Sequence, residues 1–315
     1  MTTYAEPLTT ISRPRARVSR RWRRVRSAMV AYSFIAPNFI GFAVFTLGPI
    51  VFAFVLAFMR WDGSNPMQFV GLANFWRLFT DRVFQAAFWN TIIYTGFTVP
   101  LTLVCALGLA ILLNQKIFGR DFFRTVAFFP YVASLVAVAV VWNMIFNPDF
   151  GPVNMVLYTL GVDPKDLPKW AADRHWAMVT VIMFSVWKYM GYFMVIYLAG
   201  LQGISPELYE AANIDGASAW QKFWYITLPQ LAPTTFFVSV MLTIQSFKVF
   251  DQVYMITQGG PGTSTLMLVY HIYNEAFVSW DLGYSSMVAL VLFLLVLAIT
   301  IVQFRWTRDR EEDLA

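Results

Sequence analysis

Three ionisable side chains interrupt the apolar segments of this chain: Lys188, Lys248 and Asp251. Charge inside an apolar span is expensive, so such groups face a cavity, a partner or one another. Lys248 and Asp251 are three residues apart, which on a helix puts them on one face and lets them pair. Two readings stay open for this pair: an ion pair that fixes packing, or contact with a passing solute. Just upstream, Leu242, Gln245, Ser246 and Val249 follow the i, i+3, i+4, i+7 spacing of one helix face. Gln245 and Ser246 are neutral hydrogen-bonders of the kind sugar hydroxyls need. Trp187 and Tyr192 flank Lys188; an aromatic ring there can stack on a sugar, or pack in a core or against lipid.

The residue types that enzymes use are sparse. Cys105 is the single cysteine and lies in an apolar run, so no disulfide forms within the chain and a small buried residue is the expected role. His175 and His271 are far apart and have no ligand-like neighbours, so no metal site is expected. No Gly-x-x-x-x-Gly-Lys-Ser/Thr sequence occurs, which excludes ATP hydrolysis by the P-loop route. The chain is read as a non-enzyme with no catalytic residues and no cofactor of its own.

Composition sets the environment. Of 315 residues, 58% are hydrophobic and 13% charged; a soluble domain carries roughly 25% charged residues. Aromatics reach 18%, with 12 Trp, as in proteins with many side chains at a bilayer interface. The basic balance of +5 does not indicate nucleic acid, because eight arginines are concentrated between Arg13 and Arg26, just before the first apolar run.

A transmembrane helix needs about 20 mostly apolar residues. Six segments qualify: Met29–Phe58, Phe88–Leu113, Thr125–Phe146, Trp176–Gly200, Leu231–Ile256 and Tyr284–Phe304. The fold class is therefore all-α membrane protein with six transmembrane helices. Pro37, Pro49 and Pro100 are expected to kink their helices. The apolar run after the arginines is too long for a signal core and is read as an uncleaved first span. Placing the N-terminus in the cytoplasm puts 15 Lys and Arg inside and 6 outside. Without the N-terminal cluster the numbers are 7 and 6, so that cluster decides the orientation. Both termini are then cytoplasmic. The parts are a basic tail over 1–28, a membrane domain over 29–304 and a C-terminal tail over 305–315. On the outside, the segment Gly71–Ala86 carries Leu72, Phe75, Trp76 and Phe79 at helical spacing, which predicts an interfacial amphipathic helix or a packed lid. Asn147–Lys169 is read as loop with one short helix.

Between the fourth and fifth spans lies a polar insert, about 201–229, on the cytoplasmic side. Ser205-Pro206-Glu207 is a helix start: Ser caps, Pro suits the first position, and Glu favours the positive end. That helix is predicted to run to about Ile214, with Gly216 supplying a left-handed stop. A second helix is predicted over about Ala217–Thr227, ending at Leu228-Pro229. Such a helix, bend and helix is also what an ordinary hairpin between two spans contains.

The pattern Glu210-Ala211-Ala212, Gly216 and Leu228-Pro229 resembles the EAA loop of ABC importer permeases. The segments Ser246–Gly262, Asn147–Asn154, Trp61-Asp62 and Gly71–Phe75 are similar to carbohydrate-importer permeases of the maltose and glycerol-phosphate type, first of the pair. The resemblance covers about residues 30–305 and implies the ABC type I importer permease fold. It implies an ATPase-coupling role for Glu210, Ala211, Ala212, Gly216, Leu228 and Pro229. The implied partners are a second homologous permease, two ATP-binding subunits carrying ATP and Mg, an extracytoplasmic solute-binding protein and the lipid bilayer of a bacterial plasma membrane. It also implies that Trp187, Lys188, Tyr192, Leu242, Gln245, Ser246 and Val249 lie on the solute path. The fifth span lacks the asparagines of the maltose pattern, so the solute itself does not carry over. The alternative is a secondary transporter driven by an ion gradient, which would need acidic relays and inverted repeats; Asp251 is the one candidate intramembrane acid.

Overall fold

The structure is a computed structural model and describes residues 20–314. Contacts divide the chain between Ala53 and Phe54 into two units. The first unit is helical from Arg20 through Phe42, with a π-helical turn over Ala43–Leu47 before a further helix starts at Gly48. Pro37 sits within its first helix, and the arginines before Arg20 lie outside the described residues.

Among the described residues, four single helices are long and apolar enough to cross a bilayer: Arg24–Leu56, Arg82–Asn114, Trp176–Gln202 and Leu282–Trp306. Two bent pairs bring the number to six: Arg120–Val132 with Leu135–Ile145, bent by 102°, and Ala219–Gln230 with Ala232–Phe247, bent by 64°. They are called the first to sixth spans in chain order, the fifth being counted from Ala232, with Ala219–Gln230 assigned to the loop before it. All six expected segments are found, but two of them are broken where a continuous helix was predicted.

The third span was expected as one helix over Thr125–Phe146. It breaks at Ala133 and Ser134, both in extended backbone. Pro130 lies inside the helix before the break, whose last bond runs from the Ala133 amide to the Phe129 carbonyl (3.0 Å). The fifth span was expected over Leu231–Ile256. Its helix begins at Ala232, ends at Phe247, and resumes as a separate short helix over Asp251–Ile256. Across that break Val249 is buried against Tyr94, Val181, Ile182, Val253 and Met267. Phe250 packs among Tyr254, Tyr270 and Tyr273, with ring centroids 5.2–5.8 Å away. Pro100 is accommodated inside a helix assigned without interruption from Arg82 to Asn114.

The second and fourth spans run along each other and form the centre of the second unit. Towards the loop end, Ala106, Ala110, Leu113, Phe193, Tyr197, Leu198, Leu231, Val238 and Leu242 make one buried cluster. Towards the other end, Leu78, Phe84, Phe247, Leu268, Tyr284 and Met287 belong to another. Polar side chains tie the spans where the backbone is irregular. Asn90 donates to the carbonyls of Thr263 (2.7 Å) and Leu266 (3.0 Å), and the Leu268 amide donates to the Thr91 hydroxyl (3.0 Å). The second span starts at Arg82, earlier than expected, because Asp81 caps it by accepting from the amides of Val83 and Phe84.

The outer segments follow the sequence reading. Ala73–Thr80 is a helix with Leu78 and Asn74 buried and Trp76 and Phe79 exposed. Asn74 anchors it to the carbonyls of Ala57 (2.9 Å) and Met59 (2.8 Å). The 147–169 segment carries one short helix, Pro152–Thr159. At the C-terminus the helix begun at Leu282 continues to Leu314, so residues 305–314 extend it.

Candidate functional site

The loop between the fourth and fifth spans forms a helix over Pro206–Ile214, a turn, and a second helical stretch over Ala219–Gln230. Ser205 caps the first helix by accepting from the Glu207 amide (3.3 Å). Gly216 has φ +72°, the left-handed conformation that glycine adopts without strain. The second stretch opens on a capping box that the sequence reading missed: Ser218 accepts from the Gln221 amide (3.3 Å), and Gln221 accepts from the Ser218 amide (2.8 Å). Its middle, Phe223–Thr227, is π-helical, and it runs past the expected stop at Leu228-Pro229 to Gln230. The bend falls at Leu231, which is fully buried in the core. Proline at the start of a helical turn costs no hydrogen bond, so Pro229 does not end it.

Two contacts join the halves of this hairpin. Lys222 Nζ donates to Asn213 Oδ1 (2.7 Å), and the hydroxyls of Tyr209 and Thr227 lie 2.9 Å apart. Tyr209 and Ile226 pack on the core cluster of the second and fourth spans, which ties the loop directly to them. The outer surface mixes exposed charges, Glu207, Glu210 and Asp215 among them, with exposed apolar side chains: Ile214 is 88% exposed, and Trp220 and Trp224, 5.6 Å apart, and Tyr225 are exposed. Exposed apolar side chains clustered in this way mark an interaction surface.

A second constellation lies where the third, fourth and fifth spans meet. Tyr131 stacks on Tyr192 with centroids 4.3 Å apart and planes 18° from parallel. Tyr189, 6.3 Å from Tyr131, accepts a hydrogen bond from Gln252 Nε2 (2.7 Å) and lies in hydrogen-bonding reach of Gln245. Tyr131, Tyr189, Tyr192 and Gln245 are all partly exposed. Planar rings beside neutral amides and hydroxyls suit a polyhydroxylated solute: faces stack, and amides both donate and accept.

Of the residues expected on the path, Tyr192 and Gln245 belong to this group. Leu242 (1% exposed) and Val249 (3%) are core residues. The stripe that sequence spacing joined therefore does not face a path along its length. Ser246 is buried at the end of the helix. Trp187 sits in an aromatic group with Trp142 (5.3 Å) and Phe184 (6.3 Å). Lys188 is buried, and its Nζ donates to the carbonyls of Pro130 (3.0 Å) and Ala133 (3.1 Å). Lys248 and Asp251 do not share a helix face, because the helix ends between them. No ion pair within 4.0 Å joins them among the described residues, and both are exposed.

Besides Arg120 and Arg124 on Asp121 (both 3.6 Å), a larger charge network lies between the start of the second span and the start of the sixth. Arg77 reaches Asp281 at 2.6 Å and Glu275 at 3.7 Å, and its guanidinium lies 3.8 Å from the centroid of the Tyr284 ring. Tyr284 donates to Asp81 Oδ2 (2.7 Å), and buried His271 places Nε2 3.6 Å from the same oxygen. Burial acts against ionised Asp81, but the Tyr284 hydroxyl and the Phe84 and Val83 amides outweigh it and lower its pKa. Burial lowers the pKa of His271 and raises that of Glu275. Nearby Asp62 is pulled down to about 2, chiefly by the amides of Asn65 and Ser64.

The model of the family described as "binding-protein-dependent transport system inner membrane component" matches residues 98–309, which include the loop and the spans around it. The chain belongs to this family. It is 38% identical over 282 residues to the lactose transport system permease protein LacF of Rhizobium radiobacter, covering 88% of this chain and 94% of that one. It is 34% identical over 286 residues to the sn-glycerol-3-phosphate transport system permease protein UgpA of Agrobacterium fabrum, covering 90% and 96%. In solved structures, a chain of a bacterial ABC transporter involved in import of the acidic polysaccharide alginate has the same fold. The TM-score is 0.81 at 24% identity, covering 92% of this chain and 99% of that one.

In this permease, the EAA-type loop is thus the exposed hairpin of 205–230. Sequence spacing missed Tyr131, Tyr189 and Gln252. Tyr131 lies on another span, and a Tyr in a chain with 14 Tyr carries no signal of its own. A signal for Gln252 was present: a second glutamine seven residues after Gln245, next to Asp251.

Proposed function

We propose that this permease is one half of the pore of an ATP-driven importer for a carbohydrate or a related solute: a sugar, oligosaccharide, polyol or glycerol phosphate ester. A second homologous permease forms the other half. Two ATP-binding subunits, holding ATP and Mg, seat the 205–230 hairpin. A solute-binding protein delivers solute to the opposite, extracytoplasmic face. The chain sits in a bacterial plasma membrane with both termini cytoplasmic, and the pore alternates between inward- and outward-open states. Its relatives' names give the solute class, lactose and glycerol phosphate among them. The alginate transporter was also solved with its substrate-bound periplasmic protein, which suits delivery from outside.

The observation that carries the coupling reading is the hairpin itself. It is short, capped at both helix starts, exposed on its outer face and packed through Tyr209 and Ile226 on the second and fourth spans. A partner that moves it moves those spans as a rigid element. The Tyr131–Tyr189–Tyr192 group with Gln245 is the favoured solute contact, with buried Gln252 holding the Tyr189 hydroxyl, and it replaces the stripe of Leu242 and Val249. The test is Glu210→Lys in the reconstituted complex. Reversing this exposed charge should abolish ATP-dependent uptake while the chain remains in the membrane; retained uptake removes Glu210 from the docking surface. A sugar-binding screen on the cognate binding protein then names the solute.

A further inference from the structure

Lys188 is 4% exposed and lies in the middle of the fourth span, yet it forms no ion pair among the described residues. A buried charge is costly unless it is hydrogen-bonded or paired. Its two partners are backbone carbonyls, Pro130 O at 3.0 Å and Ala133 O at 3.1 Å. These carbonyls stand where the helix Arg120–Val132 ends and the third span turns by 102°. The last carbonyls of a helix have no partner within it, and they carry the negative end of its dipole. An ammonium delivered from a neighbouring span satisfies both needs at once. Three residues on, Gly191 lies on the same face of the fourth span, and a Cβ there would run into the Ala127 carbonyl. The two spans are therefore in backbone contact beside the bend.

We propose that Lys188 is a positioning residue: by binding the Pro130 and Ala133 carbonyls it holds the third span bent, and so keeps Tyr131 stacked on Tyr192. Tyr131 lies between the two held positions, so its place depends on the bend. Its ring meets Tyr192 at 4.3 Å and Tyr189 at 6.3 Å, which lie four residues and one residue after the lysine along the fourth span. Lys188 shapes the aromatic wall without touching the solute. The inference rests on the reading of that wall as part of the solute path.

The test uses the full complex in lipid nanodiscs and two readouts. The first is hydrogen exchange. In Lys188→Met, amides of the 129–138 segment should exchange faster by about tenfold or more, as expected when a charge-assisted hydrogen bond is lost. The 268–285 segment should be unchanged, and Lys188→Arg should restore slow exchange. Unchanged exchange at the bend, or an equal rise in both segments, overturns the proposal. The second readout is labelling of Gln245→Cys by a water-soluble thiol reagent, in a Cys105→Ala background. It should be faster with Lys188→Met than without. Faster exchange with unaltered labelling leaves Lys188 merely structural and overturns the positioning role. If Gln245→Cys is unlabelled in every nucleotide state, the solute-path reading fails, and the exchange readout alone decides whether Lys188 holds the bend. Should Lys188→Met not assemble, Lys188→Gln, which donates but cannot reach as far, replaces it with the same expectations.

Discussion

The loop hairpin and the bend in the third span are both interruptions between helices, but they are held in opposite ways. In the hairpin nearly every fixing contact is local. Ser205 caps two residues away, Ser218 and Gln221 bond three apart, and Lys222 meets Asn213 nine apart. At the bend the fixing side chain is 58 and 55 residues from the carbonyls it binds. The hairpin leaves its outer face exposed, while the bend is closed by its own chain. A short, locally determined element keeps its own shape when pushed and passes the motion to the spans it packs on. A bend set by a neighbouring span moves only when that span does. In the proposed function, coupling and solute contact meet in the fourth span, which leads directly into the hairpin and carries Lys188, Tyr189, Gly191 and Tyr192.

The largest effect that would separate the two regions comes from their glycines. Gly191→Ala forces a Cβ into a backbone carbonyl that cannot move aside, and overpacking costs about 1–3 kcal/mol or more. Thermal unfolding of the purified complex should fall well below wild type. Gly216→Pro is the counterpart in the hairpin. It replaces φ +72° by about −65° and removes the amide that donates to Asn213 O (3.1 Å). The change strains the turn because of its positive φ, but the turn is exposed and outside the buried clusters, so melting of the core should fall less than with Gly191→Ala while ATP-dependent uptake is lost. Equal destabilisation by both changes would erase the distinction.

An intermediate effect is expected at the outer charge network, which is also non-local. His271 is buried with its pKa lowered by desolvation, so the unfolded chain takes up its proton first as pH falls. Its stabilising contribution is complete above the ordinary value of 6.5 and is lost as pH falls from there towards the folded value. Depressed Asp81 acts in the same direction at lower pH, whereas Glu275, raised by burial, loses its contribution as pH rises above 4.5. Melting profiles between pH 7.5 and 5.5 should show acid destabilisation that His271→Phe flattens; an unaltered slope assigns it elsewhere.

The smallest effects belong to the hairpin's local ties. Ser218→Ala removes one capping bond, worth about 1 kcal/mol. Lys222→Ala removes one exposed hydrogen bond, worth about 0.5–1.5 kcal/mol. Each should slow uptake by less than about fivefold, because the other ties remain. Loss of function as complete as in Gly216→Pro would mean that the hairpin is not independently capped.

How much was legible in the sequence follows the same division. Six apolar segments, the Ser205 cap, the end of the first hairpin helix at Ile214 and the Gly216 stop were all readable, because hydropathy and capping act over a few residues. The bends were not. Pro130 lay in a segment apolar enough to pass as one span, and the side chain that closes the break comes from another helix. The i, i+3, i+4, i+7 stripe from Leu242 to Val249 failed for a related reason. Spacing identifies residues that share a face but not what that face meets, and here Leu242 and Val249 meet the second and fourth spans. The Lys248–Asp251 pairing failed because the helix it assumed stops at Phe247.

The central claim is that a partner's ATP cycle drives solute through this permease by way of the 205–230 hairpin. The most direct measurement is uptake of the solute selected by the binding protein, into vesicles holding the assembled complex, with either ATP or a proton gradient as the energy source. The account predicts uptake with ATP alone, none with the gradient alone, and none in either case with Gly216→Pro. Uptake driven by the gradient without ATP, undiminished by Gly216→Pro, would contradict it.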